Sequence, residues 1–140
     1  MDSSFNKISL LVYFLAFFFP VLRNADYIGF QVFLCVLLYI NDPILFLCWS
    51  ANIVFGIALI APAGSWKKFF LSFASLAFGS VLITYGHIPG SDIMGNNPEP
   101  AFYGTGYILW ISAFAITFVG SIIDLRAANK NAVRGSHGIV

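Results

Sequence analysis

The chain has 140 residues, 59% of them apolar and 9% charged, with a mean hydropathy of +0.86 and a net charge of +1. A soluble domain is about half apolar and about a quarter charged, and so short a chain has too little interior to hide that excess. The composition excludes a soluble globular fold, a disordered chain and a basic nucleic-acid-binding domain, and leaves an integral membrane protein made of little besides its spans.

Five apolar segments follow one another, at residues 8–22, 27–40, 44–61, 69–85 and 107–123. None alternates apolar and polar residues as a barrel strand does. Backbone groups in lipid must be satisfied within the segment, so the expected fold class is all-α. The expected architecture is a single multipass transmembrane domain of about five helices. The first segment follows Lys7 as the core of a signal peptide would. Cleavage after Ala25 would put Arg23 where a small residue is required, so the segment is read as retained. The first two segments are short of the ~17 residues a span needs. They span if their flanks snorkel or the bilayer thins, and otherwise lie partly in the interface. Arg23-Asn24-Ala25-Asp26 reads as a polar turn, and Asn41-Asp42-Pro43 as a helix start, with Asp42 the cap and Pro43 the first helical residue. Residues 63–68 read as a tight connection. Residues 86–106 hold five glycines and three prolines and form the only long loop; a short polar tail follows Leu125.

Basic residues favour the cytoplasmic side of short loops. With five spans, Arg23, Lys67, Lys68, Arg126, Lys130 and Arg134 fall on one side and Lys7 on the other. That predicts an external N-terminus. If one of the first two segments fails to cross, the N-terminus is cytoplasmic. Either way the tail is cytoplasmic and loop 86–106 external. Trp66 is placed at the inner interface, and Tyr103, Tyr107 and Trp110 in an outer aromatic belt, with ordinary helix packing as the alternative for each.

No charged residue lies well inside a segment, and charge at membrane depth is where function is first sought. Asp42 has an alternative reading as a proton or cation site between helices. Asp124, near Arg126, marks the membrane boundary. The polar residues within spans are Gln31, Asn52, Thr84, Ser112 and Thr117, expected to hydrogen-bond between helices. Asn52 is the foremost of these. Ser72, Ser75 and Gly79 make a stripe of small residues on the fourth segment, and Ala113, Thr117 and Gly120 a similar one on the fifth. Small residues let helices approach closely in lipid, so these two segments are expected to pack together; a contact with a second copy is the alternative. In the long loop, His87, Asp92, Asn96, Asn97 and Glu99 are the candidate recognition residues. Their spacing fits no metal site, and no metal or cofactor is expected. Cys35 and Cys48 lie in apolar stretches and read as small buried hydrophobes. Phosphate-loop, zincin and nucleophile-elbow motifs are all missing.

Three strings together carry a resemblance: Tyr13-Phe14-Leu15-Ala16-Phe17-Phe18-Phe19-Pro20, Trp49-Ser50-Ala51-Asn52, and Gly106-Tyr107-Ile108-Leu109-Trp110-Ile111-Ser112. They resemble a loose set of small bacterial multipass membrane proteins that have no assigned activity. That set often continues the Asn with Pro, where this chain has Ile53. The resemblance implies a bacterial inner-membrane protein and brings no chemistry with it.

The functional expectation is a non-enzymatic membrane protein. It would have the lipid bilayer as its medium and another membrane protein, or a second copy, as its partner, in an accessory or immunity-type role without nucleic acid. A small oligomeric transporter or channel lined by Asp42, Asn52 and Gln31 is the alternative. An enzyme acting on lipid or quinone through His87, Asp92 and Glu99 ranks last.

Overall fold

The computed structural model describes residues 4–22, 25–35, 43–81, 83 and 103–136. Helix α1, Ser4–Ala16, stops four residues before Pro20. Pro20 has no amide to offer the Ala16 carbonyl and drives Phe19 away from helical conformation. The chain tightens instead. The amides of Phe17, Phe18 and Phe19 donate to the carbonyls of Phe14, Leu15 and Ala16 at 3.2, 3.1 and 3.4 Å, the i to i+3 pattern common at helix ends.

Two short strands follow, β1 at Pro20–Leu22 and β2 at Ala25–Ile28. They pair antiparallel, with Pro20 opposite Ile28 and Leu22 opposite Ala25. Helix α2, Gly29–Cys35, begins directly after β2. Its first amides, those of Gly29 and Phe30, donate to the carbonyls of Phe19 and Phe17 at 3.0 and 3.2 Å. The orphan donors of one helix thereby satisfy acceptors just beyond the end of another. The helix expected over 8–22 is therefore shorter, and the segment expected over 27–40 opens as a strand. The protein remains mostly helical, all-α in class, with this small hairpin added.

Helix α3, Pro43–Ile60, starts on its proline, whose missing amide costs nothing at the first helical position. Helix α4, Trp66–Ser80, is capped by Ser65. The Ser65 hydroxyl accepts from the Lys68 amide at 3.2 Å and donates to the Pro62 carbonyl at 2.7 Å. Helix α5, Thr105–Ser136, runs well past the segment expected at 107–123. The polar tail continues the helix because Ala127, Ala128, Lys130 and Ala132 are good helix formers with no proline among them.

Four helices form an up-and-down bundle in the cyclic order α1, α5, α4, α3. Side-chain pairs give the directions. Ser9 meets Thr117 and Phe5 approaches Gly120, so α1 and α5 are antiparallel. Lys68 meets Asp124, Ser72 meets Ser121 and Gly79 approaches Phe114, so α4 and α5 are antiparallel. Asn6 meets Leu59 and Tyr13 meets Asn52, so α1 and α3 are antiparallel. The start of α1, the end of α3 and the start of α4 therefore share one end of the bundle with Asp124. The end of α1, the hairpin, α2 and the starts of α3 and α5 share the other. The buried core is Ala51, Phe55, Ala113 and Phe114, with Tyr13 stacked 4.9 Å from Phe55.

Beside this apolar core the interior holds small polar side chains, while many large apolar residues lie outside. Ser9, Ser72, Ser75 and Thr117 are fully buried, whereas Leu11, Phe18 and Ile60 are 62, 76 and 83% exposed. Helix α3 and residues Thr105–Val133 of α5 are long and apolar enough to cross a membrane; α1 is a shorter apolar helix.

Candidate functional site

The polar interior falls into three clusters. The first surrounds Asn52. Its side-chain oxygen accepts from the Tyr13 hydroxyl at 2.9 Å and from the Trp110 indole at 2.7 Å. Its amide nitrogen donates to the Trp49 carbonyl one turn back, at 2.9 Å. One amide thus ties together α1, α3 and α5. Trp110 faces this cluster rather than an outer belt, and its ring packs 4.8 Å from Phe114. Tyr107 is buried too, and its hydroxyl donates to the Gly79 carbonyl at 2.9 Å. Tyr103 stacks on Tyr107 at 4.5 Å. Burial, and then the nearby Cys48 sulfur, raise the Tyr103 phenol above its ordinary range.

The second cluster lies lower on α5. The Ser9 hydroxyl donates to the Ala113 carbonyl at 2.7 Å and sits 2.6 Å from Thr117 Oγ1. The stripe of Ala113, Thr117 and Gly120 therefore faces α1. The expected pairing of α4 with α5 is present, but α5 uses a different face for it. Ser72 Oγ is 2.9 Å from Ser121 Oγ. A Cβ on Gly79 would come within 2.9 Å of the Phe114 ring and 3.0 Å of Ile111, so only glycine allows this approach. Ser75 turns inward on the Ser72 carbonyl at 2.9 Å.

The third cluster is an ion pair. Lys68 is 1% exposed, and its ammonium donates to Asp124 Oδ2 at 3.1 Å. Sequence reasoning set Lys68 in a connecting loop and Asp124 at a membrane boundary. The signal for the pair was present. Lys68, Ser72, Ser75 and Gly79 fall on one helical face, as do Asp124, Ser121 and Phe114. Extending the recognised stripe of α4 one turn back reaches the lysine.

Gln31 does not join the interior. Its side-chain oxygen accepts from the Ile28 amide at 3.2 Å, and the residue is exposed. It closes the start of α2 as the glutamine of a capping box does. Asp42, His87, Asp92, Asn96, Asn97 and Glu99 lie outside the described residues, as does Thr84. Among the described residues, no group of three or more His, Cys, Asp or Glu gathers as a metal site would need.

A partly open cavity of about 100 Å³ lies at the hairpin end of the bundle, beside Asn52. Its wall comes from α1, β1, α2, α3 and α5 and includes Ala16, Val21, Leu45 and Cys48 together with six aromatic rings. Among the described residues no charged side chain contributes. One wall residue, Trp49, keeps its indole nitrogen buried without a hydrogen-bond partner. Leaving such a donor unmet costs about 1–3 kcal/mol. Compared with protein-family models, with curated proteins and with solved structures, the chain matches none.

Proposed function

We propose that this chain is a small integral membrane protein that acts by binding another membrane protein within the bilayer, in an accessory or immunity-type role, and not by catalysis. The supporting observation is the inverted distribution of side chains. Buried hydroxyl groups and an ion pair sit inside the bundle beside a small apolar core, while many large apolar residues cover it. Small residues and interhelical hydrogen bonds are what hold helices together where lipid supplies no hydrophobic drive. The polar groups described are spent on structure. Asn52 holds three helices and Gln31 caps α2, which favours a structural role for both over a transport path.

The resemblance in its sequence strings favours a bacterial inner membrane. The bundle gathers Lys7, Lys67, Lys68, Arg126 and Lys130 toward one end, which the positive-inside rule makes cytoplasmic. On this reading residues 86–102 lie externally.

Two measurements test it. After alkaline carbonate washing the protein should stay with the membrane pellet; release into the supernatant overturns the membrane reading. Purified from native membranes in mild detergent, it should co-migrate with a second membrane protein at fixed stoichiometry. A species containing only this chain overturns the partner reading.

A further inference from the structure

We propose that the cytoplasmic end of α5 is a docking surface for anionic phospholipid, with the headgroup phosphate on Arg126 and Lys130 and the acyl chains against Val119 and Ile123. One face of the helix carries this. At 3.6 residues per turn, helix positions 108, 119, 123, 126, 130 and 134 fall within an arc of about 80°. Ile108, Val119 and Ile123 are exposed on it, and so are Arg126 and Lys130. An outward apolar stripe thus turns basic without leaving its face. The bundle lies on the other side, where a Cβ on Gly64 would come within 2.8 Å of the Ala128 Cβ.

The change falls at the membrane surface. Trp66 is exposed two residues before Lys68, whose ammonium meets Asp124, and tryptophan favours the headgroup level. From Asp124 the helix rise carries Arg126 about 3 Å and Lys130 about 9 Å outward. A headgroup layer is about 5–8 Å thick, so Arg126 lies within it and Lys130 at its outer edge. Among the described residues Asp124 is the one acid at this end, and Lys68 holds it. No described carboxylate therefore neutralises the row. A soluble acidic partner would meet the charges alone; a phospholipid meets the charges and the apolar stripe above them in one molecule.

This surface rests on the membrane location and cytoplasmic side proposed above, and adds the class of lipid held there. The test puts a bimane label on Ile123→Cys in the full chain, with Cys35→Ala and Cys48→Ala. Bilayers mix phosphatidylcholine with phosphatidylglycerol, one of the two brominated on its acyl chains. Half-quenching should need about fivefold less brominated phosphatidylglycerol than brominated phosphatidylcholine, the ratio one basic residue near an anionic surface gives. The preference should vanish when Arg126, Lys130 and Arg134 are all changed to Gln. It should also fall in 1 M salt, where screening acts within about 3 Å. A label on Ile108→Cys, on the same face but at the opposite end, should be quenched equally by both lipids. Where the Ile123→Cys protein fails to fold, Val119→Cys takes the label instead.

Equal quenching at Ile123, the same preference at Ile108, or a preference that survives the triple variant overturns the proposal. Equal quenching together with loss of a co-purifying protein in the triple variant assigns the row to that protein and also overturns it. Quenching by neither lipid overturns the membrane reading, and this surface with it. Absence of a protein partner leaves the lipid preference untouched, so the two proposals fail separately.

Discussion

Asn52 holds the bundle together by accepting twice and donating once. Asn52→Ala removes the acceptor shared by the Tyr13 hydroxyl and the Trp110 indole. In water two buried orphans would cost several kcal/mol, but in a membrane the unfolded helices also find partners. The expected loss is therefore about 1–2 kcal/mol in total, read as a lower midpoint of unfolding in mixed micelles. Lys68 and Asp124 should behave as a couple. Lys68→Met strands a carboxylate in the interior, and breaking a buried pair in this way costs about 3–5 kcal/mol. The double variant Lys68→Met with Asp124→Leu should regain most of that stability, because apolar replacement of a whole buried pair is often neutral. The same unfolding experiment reads this too; single and double variants of equal stability would show that the pair contributes nothing. Asn52 was legible in the sequence, because an amide inside an apolar run needs partners. Its partners were not, since Tyr13 and Trp110 come from helices 39 and 58 positions away along the chain. Lys68 was missed because a lysine beside a tryptophan and a second lysine looks like an interfacial loop.

At the scale of the helices, the contact between α4 and α5 depends on a side chain that is absent. Gly79→Val would drive methyl groups into Phe114, which is fully buried and held by Phe55 and Trp110. Overpacking of this kind costs about 1–3 kcal/mol. The Tyr107 hydroxyl should also lose the Gly79 carbonyl as the helices part. Faster cross-linking or proteolysis near Ser80 would register the separation. The stripe of Ser72, Ser75 and Gly79 announced this contact in advance, because small residues at helical spacing have few other uses in lipid. The hairpin was not announced. Residues 17–22 are as apolar as the helix before them, and only Pro20 marks the change. A further close approach explains why the hairpin can lie on α5. A Cβ on Gly106 would strike the Phe19 carbonyl, while the Gly104 amide donates to the Val21 carbonyl at 2.7 Å.

For the molecule as a whole, the directions of the four long helices put the start of α1 and the Asp124 level of α5 at one end. Single cysteines replacing Lys7 and Lys130 should therefore be labelled by an impermeant thiol reagent from the same side of the membrane, in a background with Cys35 and Cys48 replaced. Labelling from opposite sides would restore five crossings. Composition alone identified the helical class, and the apolar segments located α3 to within a residue. The sequence left open whether both early segments cross. That choice depends on how α1 ends, and its end is set by carbonyls of Phe17 and Phe19 finding amides ten or more residues away. The ion pair has one more consequence. Helices α4 and α5 are joined through a long stretch of chain, so nothing local dictates how far one slides along the other. Sliding by one helical turn, about 5.4 Å, would set Lys68 opposite Gly120 or Ala128, neither of which can neutralise it. The same step would move Phe114 away from the notch at Gly79. The buried charge thus acts as a key with a single seat, rejecting misaligned assemblies that a purely apolar interface would tolerate.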